Sequence, residues 1–204
     1  MKRYKIALVC DWYLPRIGGL ELHLYDLARE LTARGHEAHI ICVIPGPSED
    51  RGIKVHRLPV PMLPFLKTVR NHNATVELER VLRRERFDIV HAHNAFSPLA
   101  HVAMFLAKRL GIPSVFTEHS VLRGTPTVIF RALERVLPWS EWPTELVAVS
   151  EFCAEDLRQL TGRRDISVIR NALRIHDWVT PRREPAELRV TSVMRLTRRK
   201  RPVE

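Results

Sequence analysis

A chain of 204 residues has room for one large α/β domain, or for one domain and part of another. Its hydrophobic content of 45% and charged content of 27% are those of a globular protein, and no run approaches the ~18 apolar residues of a membrane span. The net charge of +10 is uneven: from Thr180 to Glu204 eight basic residues stand against three acidic ones, half of the total excess. Such a tail suits phosphates on nucleotides, nucleic acid or anionic lipid, or is a solvated basic surface. Without aromatic-basic interleaving or a reading motif, nucleic acid is set aside. Cys10, Cys42 and Cys153 are far apart in apolar contexts and read as reduced core thiols, which points to a cytoplasmic compartment. The apolar run from Ile6 to Cys10 is too short for a signal-peptide core, and Asp11 ends it.

In chain order, Lys5 to Cys10 reads as a buried strand. Gly18 and Gly19 then open a helix with Leu20, Leu24, Leu27, Ala28 and Leu31 at helical spacing, ending at Arg34 with Gly35 behind it. A strand, a Gly-Gly pair and a helix N-terminus make a place where bare amides can face an anion. The same pair also serves as a tight turn, and at this point the two readings stand level. Glu37 to Ile44 is a second strand and Ile53 to Arg57 a short third one. Leu58 to His72, with Pro59, Pro61, Met62, Pro64, Phe65 and Leu66, reads as a loop that packs over the core or meets an acyl chain.

Ala74 to Arg86 is a charged helix with Leu78, Val81 and Leu82 inward, followed by a strand from Phe87 to His93. Ser97-Pro98 starts a helix closed by Gly111. Ser114 to Thr117 is a strand, Glu118 to Gly124 a loop, and Thr127 to Leu137 a helix with Ile129, Ala132, Leu133 and Val136 inward. Glu145 to Val149 is a strand, Ser150 caps a helix to Leu160, and Asp165 to Ile169 is a strand again. Most strands are apolar throughout and alternate with helices. The pattern predicts an α/β fold: a Rossmann-like parallel sheet with helices on both faces, over residues 1–173. Sites in such folds lie at the carboxyl ends of the strands, here Asp11 to Gly19, His91 to Ser97, Glu118 to Gly124, Ser150 to Glu151 and Arg170 to Ala172. Residues 174–187 look like a linker, and 188–204 like the first strand and helix start of a second, truncated domain. His91 and His93 fall on one face of a strand and could hold zinc, but no third ligand has suitable spacing, so no metal site is assigned.

The motifs in order are Gly18-Gly19 with Glu21, Leu27 to Glu37, Asp88 to His93, Phe116-Thr117-Glu118-His119-Ser120, Ala148-Val149-Ser150-Glu151, Val168 to Ala172, and Arg195-Leu196-Thr197-Arg198-Arg199-Lys200. This series resembles family 4 glycosyltransferases of the GT-B fold, of which the chain would hold the N-terminal half. His91 to Ser120 is most similar to the branch holding the catalytic subunit of the GPI-anchor N-acetylglucosaminyltransferase and its prokaryotic relatives. The resemblance implies retaining transfer of a hexose or N-acetylhexosamine from a nucleotide-sugar, UDP-sugar first, to a lipid- or inositol-phosphate-type acceptor. It implies no metal and no cofactor beyond the donor. His119 would hydrogen-bond the transferred sugar, while Arg195 and Lys200 would grip the donor diphosphate, the one as a fork and the other as a point charge. Gly18, Gly19, Glu21, His93, Ser120, Ser150 and Asn171 would line the substrate site or fix its loops.

Glu77 and Glu85 match the family's spaced glutamate pair in letter only, and a solvated helix face explains them. The true pair and the base pocket would lie in the missing C-terminal domain, so the chain alone is expected to lack useful transfer. The implied setting is cytoplasmic, at the inner face of an anionic membrane that the protein meets peripherally. The alternative is a non-catalytic module or subunit that binds a sugar or phospholipid.

Overall fold

The structure, a computed structural model, describes residues 2–59, 72–122, 124–172, 179 and 190. Apart from Val179 and Val190, the expected linker and the strand over 188–194 lie outside the described residues, as do the helix start at Arg201-Pro202, Arg195, Lys200 and most of the proline-rich loop. The chain divides into two units, Met1–Ala172 and Leu173–Glu204, and the fold is that of the first. Its strands are β1 (Lys5–Val9), β2 (Glu37–Cys42), β3 (Glu49–Asp50), β4 (Ile53–Arg57), β5 (Ile89–His93), β6 (Ser114–Glu118), β7 (Glu145–Ala148) and β8 (Ile166–Val168). The helices are α1 (Gly19–Ala33), α2 (His72–Glu85), α3 (Pro98–Leu110), α4 (Thr125–Val136) and α5 (Glu151–Thr161).

The sheet order is β3-β4-β2-β1-β5-β6-β7-β8, parallel except for the β3–β4 pair. A strand covered on both faces needs apolar residues at every position, and β1 shows it. Ile6, Leu8 and Cys10 pack into one core with Leu24 and Ala28 of α1, whereas Ala7 and Val9 join a second core with α2, α3 and α5. Each fully buried Leu or Val contributes ~1.5–3 kcal/mol. Helices thus cover both faces, but α1 is the only described helix in the first core. This asymmetry follows from the strand order. From β1 the chain steps to β2 in one direction, and from β5 to β8 in the other, so right-handed crossovers put the later helices on the opposite face.

Three expectations are corrected. β6 runs through Glu118, because the Glu118 side chain turns back into the core. α4 begins at Thr125, and its Ile129 and Val136 face solvent, 60% and 78% exposed; Phe130 and Leu133 face in instead. Glu85 is not a solvated helix residue. It receives Lys5 Nζ at 2.8 Å and Lys54 Nζ at 3.0 Å at the amino edge of the sheet.

Beside Glu85, His39 Nδ1 meets His56 Nε2 at 3.0 Å, and His39 Nε2 lies 3.0 Å from Glu37 Oε1. Burial, then the neighbouring His39, pushes His56 down to about 4, and the hydrogen bond from Lys5 leads in holding Glu85 at about 2. Unfolded, the histidine takes a proton near 6.5 and the carboxylate near 4.5. Both contributions are therefore complete above pH 6.5. The His56 share is lost as pH falls through 6.5 toward 4, and the Glu85 share as it falls through 4.5 toward 2. His23, His39, His91, His93, His101 and His119 are also held below their ordinary value, and Asp11 and Glu118 are held above theirs. The balance predicts that the urea midpoint falls between pH 7 and pH 5. A midpoint unchanged over that interval would mean that the folded and unfolded chains take up protons equally there, and would overturn the prediction.

Candidate active site

Strand order reverses between β1 and β5, and in parallel sheets the crevice at that reversal is where ligands bind. The loops that follow β1, β5 and β6 meet there. Ser97 caps α3: its Oγ accepts the N–H groups of Asp11 at 3.0 Å and Ala100 at 3.2 Å. Asp11 Oδ2 in turn accepts the Leu99 N–H at 3.3 Å. The chain's own carboxylate therefore occupies the N-terminus of α3, where an anion is favoured. Burial pushes Asp11 up to about 6 against these donors.

Glu118 fastens the next two loops. Its fully buried carboxylate accepts the N–H of Ala95 at 2.6 Å through Oε2, and those of His119 at 2.9 Å and Ser120 at 2.6 Å through Oε1. Burial raises it to about 7, and the three N–H groups act the other way. Asn94 completes the junction at φ 74°, a left-handed conformation that asparagine tolerates better than most residues. Its Oδ1 accepts the Phe96 N–H at 2.8 Å, and its Nδ2 donates to Ser120 Oγ at 3.3 Å.

Four histidines gather on the α1 face. The register pairs His91 with Leu8, which packs under α1, so His91 and, two residues on, His93 project on the side that α1 covers. His93 Nδ1 lies 3.0 Å from His119 Nε2, and His91 Nε2 lies 2.8 Å from Thr117 Oγ1. His23, from α1, brings its ring to 5.0 Å from that of His119 and 6.0 Å from that of His93, centroid to centroid. Burial, then the neighbouring rings, lowers His91 to about 3 and His119 to about 4. The group is neutral at pH 7 and offers both donor and acceptor nitrogens.

The other predicted residues are placed as follows. Gly18 is the N-cap of α1, and a Cβ there would stand 2.9 Å from Glu21 Cδ. Glu21 is buried and paired with Arg16 Nε at 3.2 Å. The space beside Gly18 is thus filled by a carboxylate of the chain, whereas a Cβ on Gly19 would meet nothing within 4 Å. Ser150 caps α5 by accepting the Cys153 N–H at 3.2 Å, and Asn171 is exposed after β8. Sequence reasoning passes over His23 and gives Asp11 and Glu118 no role. The signal for His23 is indirect: strand alternation puts His91 and His93 under the helix that follows β1.

A doubly wound parallel sheet with its polar loops gathered at the strand-order reversal defines a Rossmann-like α/β domain. The chain belongs to Glycosyltransferase Family 4, whose pattern matches residues 17–176. It is 32% identical to the phosphatidylinositol N-acetylglucosaminyltransferase chain of Homo sapiens over 98% of this chain and 43% of that protein. It is 26% identical to the GDP-mannose-dependent alpha-mannosyltransferase of Mycobacterium tuberculosis over 85% of this chain and 46% of that protein. Anabaena Alr3699/HepE, solved in complex with UDP, shares the fold with a TM-score of 0.64 and 19% identity, over 87% of this chain and 46% of that one. The chain therefore spans less than half the length of these relatives.

Proposed function

We propose that the chain is the acceptor-side half of a retaining glycosyltransferase that moves a sugar from a nucleotide-sugar to a lipid- or inositol-phosphate-type acceptor. The observation that carries this reading is the placement of His119 at the strand-order reversal, its ring nitrogen 3.0 Å from His93 and its N–H donated to Glu118; burial favours its neutral form. A neutral imidazole hydrogen-bonds a sugar hydroxyl without adding a charge that would bind the donor diphosphate in the wrong place. Arg195 and Lys200 take the charge that develops on the leaving diphosphate, and the open side of Gly19 admits an acceptor or donor phosphate near the α1 N-terminus. The human relative's name specifies phosphatidylinositol as acceptor and the mycobacterial one GDP-mannose as donor. A lipid acceptor is the part of the proposal that the human relative's name supports, with a UDP-sugar as the first donor to try.

Two surface features agree with a peripheral position on an anionic membrane. An apolar groove of about 550 Å³ opens beside Phe96, lined by Phe105, Phe130, Trp139 and Trp142. Next to it α4 presents Val128, Ile129 and Val136 to solvent together with Arg131 and Arg135, the composition of a helix that lies in a membrane interface. Among the described residues no helix is long and apolar enough to cross a membrane.

The test uses vesicles of phosphatidylinositol, labelled UDP-N-acetylglucosamine and GDP-mannose, and two proteins: this chain alone and this chain joined to a C-terminal half of the family. Transfer to lipid by the longer protein, with lipid binding but little turnover by the shorter, is expected. Lipid binding by both without transfer by either would favour the alternative, a non-catalytic binding module. Absence of both sinks the acceptor-side reading.

A further inference from the structure

The loop between β1 and α1 leads to Gly18 and Gly19, and its middle is held by a residue from a distant strand. Arg57 ends β4, and the register sets it opposite Cys42 at the end of β2. Its guanidinium reaches three backbone carbonyls in two loops. Nη2 donates to Leu14 O at 2.9 Å, Nη1 to Ile44 O at 2.6 Å and Nε to Pro47 O at 2.6 Å. Nη1 also lies 3.6 Å from Cys42 Sγ, and the centre of the Tyr13 ring stands 6.0 Å from the guanidinium carbon. Pro15, Pro45 and Pro47 have no N–H, which limits ladder pairing between these loops, and a side chain supplies the donors instead. A planar fork with five N–H groups can span such a set of carbonyls, whereas a lysine ammonium is a compact point charge. Gly46 shows how closely the parts fit. A Cβ there would stand 2.8 Å from Arg57 Cζ and 3.0 Å from Pro15 Cδ.

We infer that Arg57 is a positioning residue for the substrate phosphate: it fixes the loop from Asp11 to Gly18 so that the open side of Gly19 faces the ligand, a role that rests on the proposed reading of Gly19 as the phosphate-facing position. The start of that loop is tied to α3 by Asp11, through Ser97 Oγ and the Leu99 N–H, and its end to α1 by the Arg16–Glu21 pair. Between these anchors Tyr13 O accepts the Arg16 N–H at 3.2 Å, a turn internal to the loop. Among the described residues, two hydrogen bonds join Tyr13 and Leu14 to the β2–β4 side. One is Arg57 on Leu14 O, and the other is the Tyr13 hydroxyl, 3.2 Å from Asp50 Oδ2. Tyr13 is fully buried and keeps the loop attached when Arg57 is shortened, so its variants should fold. Arg57 acts only through where Gly19 stands and takes no step in the transfer.

The experiment follows the Gly19 amide of the 204-residue chain by heteronuclear NMR as inorganic phosphate is added, beside hydrogen exchange of residues 12–19. The parent Gly19 signal should shift and saturate. Arg57→Lys should need ~10-fold more phosphate or worse, since a 1 Å misplacement can cost a preorganised site up to ~10²-fold. The loop amides should also exchange faster. Gly46→Ala keeps the guanidinium but drives its Cζ away, and should have the same two effects. Leu82→Ala opens a cavity in the core beneath α2, so it should lower the melting temperature and leave the phosphate affinity unchanged. If the parent Gly19 does not respond, the phosphate reading of that position fails. Loop exchange unchanged in R57K and G46A overturns the clamp whether or not phosphate binds. Faster exchange with unaltered phosphate affinity would leave Arg57 a purely structural residue, and so would an equal loss of affinity in L82A.

Discussion

Replacing Glu118 with alanine is expected to lower the melting temperature by roughly 6–20 °C, the equivalent of ~3–5 kcal/mol in a domain of this size. The reason is geometric. One buried carboxylate accepts the N–H groups of Ala95, His119 and Ser120, and alanine leaves all three without a partner in a place that water does not reach. Each orphaned donor costs ~1–3 kcal/mol, partly recovered as the loops relax. Glu118→Gln keeps one acceptor oxygen but turns an N–H₂ group toward a backbone donor, so an intermediate loss is expected. The difference should also depend on pH. Folding raises the Glu118 carboxyl from 4.5 to about 7, so the folded chain holds that proton more tightly than the unfolded one. Its contribution is complete below pH 4.5 and is lost as pH rises through 7, and the gap between E118Q and the parent should narrow from pH 5 to pH 8. Thermal melts at several pH values measure both effects. An E118A chain that melts with the parent would mean that the loops after β5 and β6 are held by other contacts.

The second large effect is on turnover. In a protein that joins this chain to a C-terminal half of the family, as the proposed function requires, His119→Ala should lower kcat/KM by ~10²–10³-fold, the usual result of removing one preorganised donor from a transition state. The melting temperature should move little, because among the described residues the His119 side chain is hydrogen-bonded only to His93. Since burial and His23 hold His119 at about 4, the parent enzyme should show no loss of rate from this group between pH 8 and pH 5. An ordinary histidine would begin to protonate near 6.5 and the rate would fall there. Asparagine at position 119 keeps a donor and should restore part of the lost rate, whereas a merely structural histidine would show no such rescue. Unchanged kinetics in H119A would remove His119 from the proposed mechanism.

Much of this is legible in the residues alone. Glu118 and His119 both stand within Phe116-Thr117-Glu118-His119-Ser120, but there Glu118 reads as a loop acid. A carboxylate is rarely buried, and nothing local indicates that Ala95 will present an N–H to it. Gly18-Gly19 carries two readings of equal weight, and Glu21, three residues beyond Gly18, is the group that decides what fills the space beside it. The inward face of α4 is ambiguous in sequence because Ile129 and Val136 fit an apolar stripe at helical spacing as well as Phe130 and Leu133 do; only the neighbouring Trp139 and α3 select between them.

By itself the sequence determined the architecture: strands apolar at every position, alternating with capped helices, can be satisfied only by a parallel sheet covered on two sides, and the ordered motifs identify the family. Strand period also put His91 and His93 on one face. What the tertiary structure alone decided is which residues converge at the reversal of strand order. His23 and His93 belong to different elements, and His93 and His119, separated by 26 positions, come within 3.0 Å. Periodicity reports which side of its own element a residue faces, and long-range pairing between elements sets which faces meet.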